Sequence, residues 1–422
     1  MVARPPSLLQ SICRFSSSAA TAAATADQQL VAQATRELAA AITPQVATVL
    51  GRRGAAVVDN AVSPAVASAL RDEFRALRTT SPDLLRPNCT HFVDGPTAGG
   101  QFRLLPKHGI LEAEATLDPE ARSKLPLWRA LSDDGALRAL LSVHLNEALA
   151  TLDDERRRKR RRQSLLPPPP PLRLDNQTVK LQANDGSGGC FPIHVDAAED
   201  LGRAGGDQQQ QVDGRVVTCI LYLSPSEGYD AARHGGQLRL FPLLPPAART
   251  AVDVLPLEGR LVLFSSARMP HRVLPARGGR IRECATFWLG RGPAAAVTHA
   301  RGLQAQFWQS EGGGGGGVPL PLEAQLARLL SPRLRPLAAR VLLADEWEAS
   351  LLESHAPGPE RDAALERHRR ELETARSALA GRMGLSDAIE ALSADEEGGG
   401  GAASAAAAVE AARAAALDMA WF

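Results

Sequence analysis

The sequence predicts an α+β protein: an antiparallel β-sandwich or jelly roll, flanked by helices and followed by a helical C-terminal extension. Two textures predict it. Across residues 176–289, short β-branched and aromatic runs alternate with Gly-rich connectors, the pattern of an all-β core. Before and after that stretch, apolar residues recur at helical spacing. The 422 residues leave room for one large or two ordinary domains, and 44% of them are apolar, enough for a real core. Runs of Ala, Gly, Pro, Gln and Arg dilute several stretches, so the folded part is smaller than the chain.

Taken in order, the first 26 residues hold Arg4, Arg14, many Ser and Ala, and no acid before Asp27. That is transit-peptide chemistry, and Arg14-Phe15-Ser16 looks like a mitochondrial processing site. Residues 1–27 are read as a transit peptide or a disordered N-terminus. The expected destination is the mitochondrion or a plastid, with the cytoplasm or nucleus as the alternative. Residues 28–155 read as a helical support region with a first strand. Residues 28–50 are helical in pattern, and Ala55-Ala56-Val57-Val58 reads as the strand. Ser63 then supplies an N-cap and Pro64 a first turn. Leu137, Leu141, Leu145, Leu149 and Leu152 form a helical stripe.

A basic block at 156–162 runs into polyproline at 167–171. Like charge beside polyproline stays extended and solvated, so residues 156–175 are read as an insertion. A nucleic-acid patch is the rival reading, and the transit-like N-terminus contradicts it. Within the core, residues 176–292, strands are expected at 178–183, 190–196, 215–224, 236–242, 259–266 and 282–290. Residues 202–214 read as a loop insertion. A Gly-rich linker (293–320) follows, then a helical region (321–393) with Trp347, Leu351, Leu352 and Leu365 as packing anchors. A low-complexity tail (394–422) ends the chain.

Composition excludes several classes. The net charge is +1, so whole-molecule electrostatics name no partner. Five cysteines, Cys13, Cys89, Cys190, Cys219 and Cys284, are far apart with no CxxC pair, which argues against a disulfide framework or thiolate zinc. No stretch approaches the ~20 apolar residues of a membrane span. Asn88-Cys89-Thr90 fits a glycosylation pattern, but without a secretory signal it reads as coincidence.

His194-Val195-Asp196 is the focal feature. In a strand, residues two apart share a face, so imidazole and carboxylate converge. A metal there needs a third protein ligand, and His271, just past residues 259–266, is the candidate. Two His and one carboxylate on one face of an octahedron suit non-haem iron(II) and leave positions for cosubstrate and oxygen.

The ordered blocks GSGGCFPIHVD, RVVTCILYLS, GGQLRLFP, RLVLFSS and HRVLPARGGRIRECATFW resemble the prolyl 4-hydroxylase branch of the 2-oxoglutarate oxygenases. In motif order and turn chemistry they resemble the hypoxia-factor prolyl hydroxylases. The resemblance covers roughly residues 176–290, with a fainter echo at 55–78. It implies a double-stranded β-helix form of the jelly roll, with Fe(2+) held by His194, Asp196 and His271, and with 2-oxoglutarate as cosubstrate. It also implies oxygen as co-reactant and L-ascorbate as a reductant of stalled iron.

By the same resemblance, a basic residue on the last core strand binds the far carboxylate of 2-oxoglutarate. Arg280 and Arg282 compete, since alternation puts both on one face with Cys284, Thr286 and Trp288. The family's usual spacing, six before the tryptophan, selects Arg282. Tyr222 matches a tyrosine that bonds the same carboxylate, with Thr218 and Ile220 on its strand face as pocket walls. Trp288 and Leu238 are further candidate walls. Lys180, Gln182 and Asn184 depart from the family, which shows Tyr in that region. His234 reads as a solvated loop residue. The implied substrate is a protein or peptide, with prolyl residues as the family expectation. A small metabolite is the rival, and an inactive binding module is a reading of a different class.

Overall fold

The computed structural model describes residues 26–94, 101–159, 171–197, 214–242, 251–292, 320–331, 334–396, 403–417 and 421–422. Residues 1–25, 160–170, 202–213 and 293–319, where the transit segment, polyproline insertion, Gln-rich loop and glycine linker are expected, lie outside them. Four cysteines, Cys89, Cys190, Cys219 and Cys284, are free thiols. No helix among the described residues is long and apolar enough to cross a membrane.

The centre is a pair of antiparallel sheets. The larger has seven strands in the order β1-β9-β6-β11-β4-β3-β2. Its strands are β1 (Ala55–Val58), β2 (Arg86–Asp94), β3 (Gln101–Glu114), β4 (Asn176–Asn184), β6 (Arg215–Tyr222), β9 (Leu261–Ser265) and β11 (Arg282–Gly290). The smaller has the order β5-β10-β7-β8, from β5 (Phe191–His194), β10 (His271–Val273), β7 (Leu238–Leu240) and β8 (Val252–Val254). Ile110, Phe191, Ile220, Tyr222, Leu238, Val262, Phe264 and Cys284 fill the space between the sheets.

Helices cover the outer face of the larger sheet. α1 (Ala26–Ala41) and α2 (Pro44–Arg53) lead into β1. Thr43 caps α2 by accepting from Val46 N, and Gly54 at φ 73° ends it, the left-handed stop that glycine adopts without steric cost. α3 (Pro64–Thr80) starts as its sequence expects, with Ser63 accepting from Val66 N and Pro64 in the first turn. α4 (Pro119–Ser123) and α5 (Pro126–Asp134) are short. α6 (Ala136–Lys159) carries the expected leucine stripe. Leu137, Leu141 and Leu145 are buried in the core shared with Trp128 and Phe287, with Leu149 half-buried against it, and Leu152 is buried as well. This helix runs to Lys159, through the first four residues of the basic block that was expected to be extended, because Arg and Lys are themselves good helix formers.

Three differences from the sequence reading stand out. The region before residue 155 holds the β2–β3 hairpin as well as β1. Pro87, Pro106 and Gly109 interrupt its strand pattern, and the pairing slips between Pro87 and Cys89 to absorb them. Strands β5, β6, β7 and β9 are shorter than expected at their ends, while β11 spans residues 282–290 as the pattern indicates. The tail holds α13 (Ala403–Leu417), and Trp421 is only 2% exposed. An aromatic end of that kind is driven into the core by its own apolar area.

The C-terminal helices are α8 (Leu322–Leu329), α9 (Arg335–Leu342), α10 (Ala344–Ser354), α11 (Pro359–Arg376) and α12 (Ser386–Glu396), followed by α13. Their shared core takes in Ile193 and Phe241, so they cover the outer face of the smaller sheet. Trp347, Leu351 and Leu365 pack there as anticipated. Leu352 does not: it is 42% exposed, on the opposite side of α10.

Candidate active site

His194 ends β5 and His271 begins β10, and the two are paired across the antiparallel ladder. Their rings are 4.3 Å apart between centroids. Asp196 was expected inside the same strand, but β5 stops at His194 and Asp196 lies two residues beyond it. The segment is tied back by Ala197 N donating to Ser266 O at 3.0 Å. The carboxylate therefore still reaches the histidines: Oδ1 is 3.6 Å from His194 Nε2 and Oδ2 is 3.8 Å from His271 Nε2. One ligand atom from each residue fits within 4.8 Å of the others, a group that can hold a metal ion.

The imidazoles are set for that task. His194 Nδ1 is 2.8 Å from Pro192 O, and His271 Nδ1 is 2.9 Å from Met269 O. A carbonyl only accepts, so each Nδ1 carries the proton and each Nε2 lone pair faces Asp196. Burial pushes His271 down to about 4, helped by the neighbouring His194, so it is neutral as a ligand must be. Burial pushes the Asp196 carboxyl up, but attraction to the His271 and His194 rings when they carry a second proton, and to Arg215, holds it well below the usual carboxylate range, so it is already ionised where His271 becomes neutral. Thr218 Oγ1 donates to Asp196 Oδ2 at 2.6 Å, and Ser266 Oγ lies 2.8 Å behind it.

Deeper between the sheets, Arg282 and Tyr222 come together. Arg282 is buried. Its Nε donates to Gly236 O at 2.9 Å, but its outer nitrogens meet only the Cys284 thiol and the Tyr222 hydroxyl, each at 3.4 Å. No carboxylate of the described residues pairs with it. Those are weak partners for a buried cation, and the forked end fits the carboxylate of a 2-oxo acid. Burial pushes the Tyr222 phenol and the Cys284 thiol up, so both stay protonated. Gly236 sits at φ 75°, and a Cβ there would press on Arg282 Cδ at 3.1 Å.

Arg280 is elsewhere. Alternation was expected to put it on the face of Arg282, yet β11 begins only at Arg282. A glycine turn at Gly278 (φ 70°) and Gly279 (φ 65°) precedes it. The Arg280 guanidinium instead donates to Pro225 O and to Glu227 O and lies over the Tyr229 ring. Trp288 is on the inner face of β11, with Lys180 Nζ 5.4 Å and the Arg215 guanidinium 5.3 Å from its ring centre. Leu238 is buried between the sheets. Thr218, read from sequence as a wall, touches the carboxylate of Asp196 itself.

The departing residues are structural in their contacts. Lys180 pairs with Glu112 and Glu114, Gln182 accepts from Cys284 Sγ, and buried Asn184 donates to Gly189 O. His234 is at the end of a one-turn helix, α7 (Ala231–His234), accepting from Asp230 N, rather than free in a loop. Asn88 is buried and bonded to Glu112 and Lys107, which closes it to a glycan. Sequence reasoning missed Ser266, whose serine in a strand end carries no signal, and Lys107. The Lys107 ammonium is 4.9 Å from the centre of the Phe191 ring beside His194, and burial pushes it down to about 8.

The profile of the 2OG-Fe(II) oxygenase superfamily matches residues 179–290. Prolyl hydroxylase EGLN3 of Mus musculus is 42% identical over 77 residues, which are 18% of this chain and 29% of that protein. The hypoxia-inducible factor prolyl hydroxylase of Caenorhabditis elegans is also 42% identical over 77 residues, 18% of this chain and 10% of its own length. The match thus spans less than a third of these curated relatives. Among solved structures, a prolyl 4-hydroxylase from Phytophthora capsici shares the fold at 24% identity, TM-score 0.52, with 86% of this chain and 95% of that chain covered. The profile match, the shared fold and the His–Asp–His geometry agree: residues 179–290 match the 2OG-Fe(II) oxygenase superfamily, are similar over 77 residues to prolyl hydroxylases, and share the fold of a prolyl 4-hydroxylase.

Proposed function

We propose that the protein is an iron(II)- and 2-oxoglutarate-dependent dioxygenase that hydroxylates an unactivated C–H bond, with a peptidyl-prolyl residue as the substrate class. One observation carries the reading: two Nε2 lone pairs and a carboxylate converge in a fold that also buries, beside Tyr222, an arginine without a carboxylate partner among the described residues. The prolyl assignment is supported by the relatives that match the core.

His194, Asp196 and His271 would hold the iron, and the donor set fits it: two imidazole nitrogens and one carboxylate. Arg282 and Tyr222 would hold the far carboxylate of 2-oxoglutarate by charge-assisted bonds. Iron with its 2-oxo acid supplies oxygen activation, with succinate and carbon dioxide as coproducts of the hydroxylation. The chain's own contribution is position. The carbonyls of Pro192 and Met269 fix both imidazole tautomers. Phe264, its ring centre 4.5 Å from that of His271, and Ile220 and Val262 of the same buried cluster would help keep water from the reacting centre. We further propose ascorbate as the reductant that restores iron(II), and an organelle as the destination, on the acid-poor first 26 residues.

The test is succinate release from 2-oxoglutarate with iron(II) and oxygen. Wild type is expected to turn over, and His194→Ala and Asp196→Ala to lose at least about 100-fold. Unchanged turnover in both variants sinks the site. Mass shifts of +16 in peptides from a treated extract would support the peptide class; a shift confined to metabolites would replace it with the small-molecule reading.

A further inference from the structure

Asp196 is the least constrained of the three ligand residues. Both histidines sit in ladder positions, whereas Asp196 follows the end of its strand. Something else must orient its carboxylate. Thr218 Oγ1 is 2.6 Å from Asp196 Oδ2 and 2.8 Å from Ser266 Oγ. A carboxylate only accepts and a hydroxyl has a single proton. Thr218 therefore donates to Asp196, and Ser266 must donate to Thr218. The order of donation is fixed: Ser266, Thr218, Asp196.

The chain of hydroxyls rests on rigid elements. Thr218 is in the middle of β6, paired with Phe264 of β9, and Ser266 N donates to Val216 O. Both side chains are buried. Ser266 also accepts Ala197 N through its carbonyl, so it grips the Asp196 segment twice, once by main chain and once through Thr218.

We propose that Ser266 and Thr218 form a hydroxyl relay that commits Asp196 Oδ2 and leaves Oδ1 as the oxygen offered to the metal, making Thr218 a positioning residue. This rests on the metal-site reading above. With one oxygen engaged, the carboxylate presents a single donor beside His194 Nε2, and the open side of the site stays available to the 2-oxo acid and oxygen. Removing the hydroxyl leaves a buried carboxylate oxygen without a donor, free to turn toward the metal or away from it.

The experiment uses the full chain with Mn(II) alone, titrated by the EPR signal of the free ion, and with Co(II), read by its ligand-field absorption. Thr218→Val keeps the shape of the side chain and removes its proton. It is expected to weaken Mn(II) binding by about 10- to 100-fold, the usual cost of losing an outer partner of a metal ligand, and to shift the Co(II) bands. Thr218→Ser should restore both to near wild type. Ser266→Ala should weaken binding less than Thr218→Val, since Thr218 still reaches Asp196. Mn(II) affinity and Co(II) bands unchanged in Thr218→Val overturn the relay while leaving the metal site intact. If thermal melts show that Thr218→Val does not fold, Ser266→Ala decides: an unchanged affinity there overturns the proposal. A wild type that takes up no Mn(II) overturns the metal site itself, and the relay with it.

Discussion

Arg282 is a cation in a dry place, its outer nitrogens on a thiol and a phenol at 3.4 Å. A carboxylate that reached it would gain charge-assisted bonds worth about 1.5–3 kcal/mol, or roughly 10- to 150-fold in affinity. Arg282→Ala is therefore expected to raise the 2-oxoglutarate requirement for succinate release by that factor. Arg282→Lys should rescue little, because a point charge does not reproduce the fork. Arg280→Ala should change the requirement little, since Arg280 holds the carbonyls of Pro225 and Glu227 in an outer loop. The reverse order of the two variants would move the clamp to Arg280. At this scale strand alternation made His194 and Asp196 readable as a pair, whereas the choice of Arg282, six before Trp288, came from the family resemblance and not from periodicity. The sequence was silent on Ser266 and on the Thr218 hydrogen bond, because a hydroxyl residue in a β-run has no pattern that separates wall from relay.

At the scale of elements, α10 braces the strand that carries His194. β5 is an edge strand of the smaller sheet, and an edge leaves backbone donors unpaired. Ser350 on α10 accepts from Ile193 N at 3.0 Å. Arg272 of β10 pairs with Glu346 and Glu353, and Arg239 of β7 also meets Glu346. Ser350→Ala would leave the Ile193 N–H buried without an acceptor, a cost of about 1–3 kcal/mol. The expected result is a lower urea midpoint with an unchanged slope; a midpoint equal to wild type would show that α10 does not brace β5. The brace was not legible because helix periodicity tells that residues 344–354 have an apolar face, not which strand meets it. The β2–β3 hairpin was hidden for a different reason. Its prolines and Gly109 are turn signals by local rule, and only the bulged pairing reconciles them with a strand.

At the scale of the whole molecule, His355 joins regions far apart in sequence. It follows α10, with Nδ1 2.9 Å from Pro106 O and Nε2 3.0 Å from Thr90 Oγ1, so it ties the C-terminal helices to the β2–β3 hairpin. Burial, with Lys107 and Arg361 nearby, pushes it down from 6.5 to about 4, against the bond to Pro106 O. The folded state therefore binds fewer protons than the unfolded state between pH 4 and pH 6.5. Unfolding free energy rises with pH wherever the unfolded state binds more protons. The contribution of His355 is thus fully present above pH 6.5 and is lost as pH falls toward 4, by about 2 kcal/mol between pH 6.5 and pH 5. His271 and His368 are lowered in the same direction by burial, so the metal-free protein should be destabilised steeply by mild acid. His355→Gln keeps a polar side chain without the titration. In urea unfolding of the metal-free protein at pH 5, 6 and 7, His355→Gln should show a shallower dependence on pH than wild type while retaining the part due to the other two histidines. A variant as steep as wild type would mean that His355 is as easily protonated in the fold as in the open chain, and that the tie between the two regions is open to water.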